Sequence, residues 1–329
     1  MRLLLHARMQ PESVARLRAL SPTLEVVDVS ADAEFDFDAL ADPALEVIVG
    51  RRAPSDLSRV PRLRWLQVGS AGVDHLAADP PWKQGLLVTN ARGVFAVPMG
   101  EYVSGAILRI NQPLARWAAD QASHHWPVDD EPVAAIARGR TAVLVGYGSI
   151  GREVARQLAA LGLRILAVKP RPDLRVDTSY RVPGTGDPTG TIPERIVGVD
   201  ALVEVAGEAD YLVLTLPLTA ASRHIVGPAV LAALPATAWL INVSRGGLVD
   251  EPALLDALRG GRLAGAVLDV VDDEPLPPDS PLWDVPNVMI SPHVSGATSQ
   301  FRDDLVIENA RRYLAGEPLL NPVDPERGY

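Results

Sequence analysis

The sequence predicts an α/β protein of two parallel-sheet domains, Rossmann-like or flavodoxin-like, with a cleft between them. Three observations predict it. Short apolar runs of strand length alternate with segments of helical periodicity along most of the chain. A glycine-rich motif, Gly146-Tyr147-Gly148-Ser149-Ile150-Gly151, stands between one such run and one such segment. At 329 residues, the chain holds two domains on a prior of roughly 150 residues each.

The elements follow in order. Leu3-Leu4-Leu5 and Glu46-Val47-Ile48-Val49 read as strands, with Val14, Leu17 and Leu20 at helical spacing between them. Residues 63–68 form a third strand that closes on the turn signal Gly69-Ser70-Ala71-Gly72. Residues 101–120 place Val103, Ala106, Ile107, Ile110, Leu114 and Trp117 at helical spacing, a long helix broken near Pro113. After an acidic, proline-bearing stretch at 127–132, a strand at 141–145 opens a second α/β region that runs to about Pro292. Its further strands include 164–168, 211–215, 239–243 and 265–269. Residues 297–315 read as a last helix with Phe301, Leu305, Ile307 and Tyr313 turned inward, and residues 171–199, rich in Pro, Gly and Thr, as a long loop. Alternating strands and helices imply parallel sheets covered on both faces.

Composition excludes several classes. With 47% hydrophobic and 22% charged residues the chain is not disordered in the main. The absence of cysteine removes disulfide scaffolds, thiolate nucleophiles, Cys-ligated zinc and iron–sulfur clusters. A net charge of −10 argues against nucleic-acid binding, which needs a basic face. No apolar run approaches the ~20 residues of a membrane span. The N-terminal apolar stretch is too short for a signal peptide, so a cytoplasmic location is expected. No His, Asp or Glu cluster has metal-ligand spacing, and no metal is expected.

The glycine motif has the context it needs, a strand before it and a helix after it. Its glycines permit a tight turn and a close backbone approach to pyrophosphate, and the helix N-terminus offers free N–H groups. The alternative is a plain βα turn. In NAD-binding sheets a carboxylate about 20 residues further on bonds the ribose 2′-hydroxyl. Here that place holds Lys169-Pro170-Arg171-Pro172. Two cations suit a 2′-phosphate, so NADP(H) is expected as the preferred cofactor, with NAD(H) still usable. The alternative is two solvated basic residues at a strand end.

Three polar segments follow strands of the second region: 242–250 with Arg245, 268–277 with Glu274, and 291–296 with His293. Ligands of open α/β sheets bind at that edge. Histidine suits proton exchange near neutral pH. A neighbouring carboxylate favours the imidazolium. A guanidinium pairs with carboxylate and ketone oxygens in a fixed geometry. Taken singly, His293 also reads as a surface histidine, Arg245 as a loop residue, and Glu274 as part of the acidic run Asp272-Asp273-Glu274.

Together with Ser70-Ala71-Gly72-Val73-Asp74 and Leu216-Pro217-Leu218-Thr219, these segments stand in an order that resembles the D-isomer-specific 2-hydroxyacid dehydrogenases, including the glyoxylate and hydroxypyruvate reductases. The resemblance covers nearly the whole chain. It implies that Arg245 holds a small 2-keto or 2-hydroxy acid, that His293 exchanges the proton and that Glu274 orients the histidine. It implies that the Ser70-Ala71-Gly72-Val73 turn offers backbone N–H groups to the substrate carboxylate. Asp269 matches a residue that contacts the nicotinamide carboxamide, and Met99, Leu216, Pro217, Val243, Ser244 and Ser295 also fall on the cofactor side. Residues 1–100 and 297–329 would form the substrate domain, with the dinucleotide domain, 101–296, inserted into it. A homodimer built on the helices of 101–126 is implied, with His124 and His125 in its arm. Two features depart from the family pattern. The 171–199 segment is longer and would lie as a flap over the adenosine end. Met99 stands where a smaller residue often faces the nicotinamide. A formate-dehydrogenase-like enzyme is disfavoured because those carry Gln in place of Glu274. A nicotinamide-sensing corepressor keeps all three catalytic residues and stays open. His75, bordering the substrate turn, is one further histidine of interest.

Overall fold

Leu3, Leu4 and Leu5 are all buried, so the first strand is covered on both faces, as parallel sheets require. In the computed structural model, which describes residues 1–76, 78–126, 134–297 and 301–324, strand β1 (Arg2–Leu5) joins β2 (Glu25–Asp28), β3 (Leu45–Val49), β4 (Trp65–Gln67) and β5 (Leu87–Thr89). The order is β2-β1-β3-β4-β5, every pair parallel. This is the flavodoxin-like order, in which the chain runs outward from β1 on both sides. Side-chain alternation sorts the core. Leu3, Leu5, Val47 and Val49 face one cluster with Val14 and Leu17 of α1 (Pro11–Arg18), while Leu4 and Ile48 face the other.

The next elements are α2 (Ala96–Asn111), α3 (Leu114–Ala122), β6 (Thr141–Val145), α4 (Ser149–Ala160), β7 (Arg164–Val168), β8 (Arg195–Val197) and α5 (Leu202–Ala206). After them come β9 (Tyr211–Leu214), α6 (Pro228–Ala233), β10 (Trp239–Asn242), α7 (Glu251–Arg259), β11 (Gly265–Leu268) and β12 (Val288–Ile290), then α8 (Arg302–Ala315). The seven strands pair in parallel as β12-β11-β10-β9-β6-β7-β8. The chain steps from β6 to β7 and β8, then returns to β9 on the far side of β6. The switch point therefore lies between β6 and β9, as in a Rossmann sheet.

The chain divides into two units. One comprises Met1–Phe95, Ser179–Pro183 and Thr298–Tyr329; the other comprises Ala96–Thr178 and Gly184–Ala297. In the first unit α8 returns to the five-stranded sheet. Its Tyr313 ring stacks on Trp65 at 5.5 Å, and Asn309 Nδ2 donates to Gln67 Oε1 at 2.9 Å. Leu305 and Ile307 are buried, whereas Phe301 and Tyr313 are half-buried.

Several expectations need correction. The segment 171–199 is not loop throughout, since β8 pairs with β7 through Leu166, Ala167 and Val168. Its Ser179–Pro183 stretch belongs to the first unit, where Tyr180 packs with Ala91, Val94 and Leu305. The break expected near Pro113 is present, with α2 ending at Asn111 and Pro113 at the N-cap of α3, but α2 begins at Ala96 rather than at 101. Leu114 and Trp117, expected on the apolar stripe, are exposed. The acidic 127–132 stretch and the predicted start of the last helix at 298–300 lie outside the described residues. Among the described residues no helix is long and apolar enough to cross a membrane.

Candidate active site

The site residues of the second unit follow the C-terminal ends of its strands, and the glycine turn sits at the switch point. Gly146 has φ +103°, and a Cβ there would stand 2.7 Å from the Thr215 carbonyl carbon. Only glycine fits both the conformation and the approach to the chain after β9. A Cβ on Gly151 would meet the Gly146 oxygen, so its absence lets α4 pack on the turn. Gly148, at the N-cap of α4, faces open space, with nothing within 4 Å of the position a Cβ would take. A tight turn, a close helix and one exposed, uncovered backbone position fit the pyrophosphate of a dinucleotide. Thr215 Oγ1 donates to the Gly146 oxygen at 2.8 Å and ties the turn to the strand across the switch point.

Tyr147 and Arg152, on either side of this turn's helix start, are buried and anchor the segment after β7. The Tyr147 hydroxyl donates to Asp187 Oδ2 at 2.6 Å. Asp187 also accepts from the Thr191 and Ile192 amides at 3.1 and 3.0 Å. Arg152 donates to the Asp187 and Arg175 carbonyls, lies over the Tyr147 ring and pairs with Asp177 at 3.6 Å. Burial alone would raise the Asp187 carboxyl, but the bonds from Tyr147, Ile192 and Thr191 hold it below the usual range. Burial, then the charge of Asp187's bonded partnership, pushes the Tyr147 hydroxyl up, so it stays a donor. Lys169 Nζ donates to the Leu174 carbonyl at 2.5 Å. Burial first, then the like charge of Arg152 and more weakly that of Arg171, holds its ammonium below the usual lysine range. Arg171 is exposed.

At the other end of the same edge His293 meets Glu274. His293 Nδ1 lies 2.8 Å from Glu274 Oε2. A carboxylate only accepts, so Nδ1 carries the hydrogen and Nε2 is the ring nitrogen left to exchange a proton. Glu274 Oε1 accepts from the Val271 amide at 3.3 Å. His293 has φ +54°, a left-handed conformation that costs a non-glycine residue about 1–3 kcal/mol. Buried Asp269 holds that conformation. Its carbonyl accepts from the His293 amide at 2.9 Å, and its carboxylate from the Val294 and Ser295 amides at 2.8 and 2.9 Å and from Ser291 Oγ at 2.6 Å. Arg245 lies half-buried on the turn after β10, and its Nη1 donates to the Ser244 carbonyl at 2.8 Å. Asn242 Nδ2 holds the Arg245 carbonyl at 2.9 Å, and Ser244 Oγ donates to the Leu216 carbonyl. A Cβ on Gly246 would overlap Val271, so the arginine turn sits directly against the chain that leads to Glu274.

The remaining predicted residues fall as follows. Leu216 and Pro217 follow β9, and Val243 and Ser244 follow β10. Met99 is buried in the first turn of α2. Ser149 and Ile150 open α4. In the first unit, Ser70, Ala71 and Gly72 are half-buried and Val73 is buried, with Ser70 Oγ donating to the Gly72 carbonyl at 2.7 Å. His75 Nε2 donates to the Arg51 carbonyl at 2.9 Å and is thereby engaged in holding that turn. Sequence reasoning missed Tyr102, Ser291, Arg152 and Asp187 as site-building residues. Ser291 had a signal, its place two residues before His293; the others had none. Among the described residues no group of His, Asp or Glu is arranged to hold a metal ion.

A parallel sheet with Rossmann strand order and a three-glycine turn at its switch point defines a dinucleotide-binding class of α/β protein. Residues 104–295 match the family model for the D-isomer specific 2-hydroxyacid dehydrogenase, NAD binding domain. Over 320 residues the chain is 31% identical to a glyoxylate/hydroxypyruvate reductase B of Pectobacterium carotovorum, covering 94% of this chain and 95% of that one. A family crystal structure from Aeromonas salmonicida superposes with a TM-score of 0.79 at 29% identity, covering 98% of both chains. An NADPH-dependent glyoxylate/hydroxypyruvate reductase of Sinorhizobium meliloti, solved with NADP and sulfate, superposes with a TM-score of 0.77 at 30% identity, covering 100% of this chain and 99% of that one. The chain belongs to the D-isomer specific 2-hydroxyacid dehydrogenase family.

Proposed function

We propose that the protein is an NADP(H)-preferring reductase that converts small 2-keto acids to D-2-hydroxy acids. The observation that carries this reading is the His293–Glu274 pair at 2.8 Å, held beside Asp269 at the ligand-binding edge of a dinucleotide-type sheet. The glycine turn would hold the pyrophosphate of a reduced nicotinamide dinucleotide, which when bound would supply the hydride for the keto carbon. His293 gives the proton from Nε2 to the alkoxide oxygen and ends neutral, with Nδ1–H still on Glu274. Arg245 pairs with the carboxylate and ketone oxygens of the keto acid. The first unit is the substrate domain and the second the cofactor domain.

The NADP(H) preference is supported by the cations after β7. Lys169 sits where burial and the charges of Arg152 and Arg171 already disfavour its own charge, and a phosphate dianion relieves that strain. The Sinorhizobium relative, which is described as NADPH-dependent, supports the same reading. A cytoplasmic homodimer is proposed on the exposed Leu114, Trp117 and Trp126.

Turnover measured with glyoxylate, hydroxypyruvate and phenylpyruvate, each with NADPH and NADH, tests the function. Reduction of at least one acid with NADPH ahead of NADH is expected. Saturable cofactor binding without turnover of any 2-keto acid would overturn the enzymatic reading and leave a nicotinamide sensor.

A further inference from the structure

We infer that Tyr102 is a positioning residue for the acid–base pair, acting through a directed chain of hydrogen bonds from Tyr102 to Ser291 to Asp269. The inference rests on the proposed role of His293. Tyr102 lies on α2, 189 residues from Ser291, and its hydroxyl stands 2.6 Å from Ser291 Oγ. Ser291 Oγ in turn stands 2.6 Å from Asp269 Oδ1.

Proton counting fixes the direction. An ionised carboxylate has no hydrogen to give, so the single hydrogen of Ser291 goes to Asp269. Ser291 then accepts from Tyr102, and Tyr102 is the donor that starts the chain. Burial raises the tyrosine hydroxyl above its usual range and keeps it protonated for that task. A hydroxyl that accepts one such bond donates the next more strongly.

The chain ends where the His293 turn is built. Asp269 Oδ1 receives Ser291 and the Val294 amide, and Oδ2 receives the Ser295 amide. The His293 amide reaches both the Asp269 carbonyl, at 2.9 Å, and the Ser291 carbonyl, at 3.0 Å. Three consecutive amides of the turn are therefore satisfied by Asp269 and Ser291, which is what holds His293 at φ +54° with its ring on Glu274. Tyr102 touches neither the ring nor any reacting atom; it fixes the serine that fixes the aspartate. It makes α2 part of the support of the His293 turn, a role that its place in the sequence does not reveal.

Tyr102→Phe keeps the ring and removes only the donor. The expected result is an unchanged melting temperature within a few degrees, with amide hydrogen exchange at His293, Val294 and Ser295 of the cofactor-free protein faster by about tenfold, the worth of one neutral hydrogen bond. Turnover number falls by roughly the same factor while KM for the keto acid stays within about twofold, because the loss lies in the chemical step. Ser291→Ala gives the same pattern, and Ser291→Thr, which keeps the hydroxyl, restores both exchange protection and turnover. Unchanged exchange in Tyr102→Phe would overturn the chain, and faster exchange with unchanged turnover would overturn the positioning role. If Tyr102→Phe fails to fold, the Ser291→Ala and Ser291→Thr pair decides, and equal behaviour of the two overturns the inference. Full activity in His293→Ala would instead refute the proposed function and leave the exchange result standing.

Discussion

At one end of the seven-stranded sheet's edge, Asp187 accepts from the Tyr147 hydroxyl and the amides of Thr191 and Ile192. At the other end, Asp269 accepts from the Ser291 hydroxyl and the amides of Val294 and Ser295. Each is a buried carboxylate gathering one hydroxyl and two amides onto a local turn. The difference lies in the basic side chain beside it. Arg152, beside Asp187, is 3% exposed and spends its donors on the Asp187 and Arg175 carbonyls. His293, beside Asp269, keeps 48% of its side chain exposed. The same device anchors a segment in one place and holds up a half-exposed imidazole in the other. The sealed guanidinium braces two carbonyls of its segment, whereas the imidazole is held by its backbone amide and by Nδ1 on Glu274.

Mutations should separate the two ends. The largest effect is expected at the open one. His293→Ala lowers turnover by about 10²–10⁴-fold, the usual range for a lost acid catalyst, without measurable change in melting temperature. Steady-state kinetics and thermal melts on the same sample check both halves. At the glycine-turn end, Lys169→Ala and Arg171→Ala each remove a charged contact, so the NADPH/NADH ratio of kcat/KM falls by roughly 10–100-fold. An unchanged ratio in both variants would remove the 2′-phosphate assignment.

A smaller effect, on stability rather than turnover, is expected of Asp187→Asn. An amide nitrogen replaces one accepting oxygen among the donors, costing about 1–2 kcal/mol in urea unfolding, a factor of roughly 5–30 in the folded population. Its sign with pH is set. The folded Asp187 carboxyl lies below its ordinary value, so its contribution is complete above about pH 4, the unfolded value. It is lost as pH falls through the folded one. The gap between wild type and Asp187→Asn should therefore close in acid, and parallel acid curves would contradict the anchor.

What the sequence reveals follows the range of the physics. The glycine turn was legible because its three roles lie within six residues. Arg245, Glu274 and His293 were legible because each follows a strand with a short motif around it. The supports were not. Tyr147 and Asp187 are 40 residues apart, and Asp187 lies in a Pro- and Gly-rich stretch that carries no periodicity. Tyr102 reads as one more position on an apolar helix until Ser291 is brought to it. Strands β2, β5, β8 and β12 escaped notice because edge strands of three or four residues with exposed or half-exposed positions need no apolar run. Leu114 and Trp117 fit a helical stripe, yet spacing alone does not tell which stripe is covered.

The pH dependence of both reaction directions, in wild type and in Glu274→Gln, tests the central claim most directly. Reduction needs the imidazolium and should fade as pH rises; oxidation needs the neutral ring and should fade as pH falls. Glu274→Gln removes the negative charge 2.8 Å from the ring, so turnover should fall in both directions while the two pH trends stay opposed. Undiminished turnover in the variant, or the same pH trend in both directions, would mean that Glu274 does not serve the proton donor, and the proposed pair would be wrong.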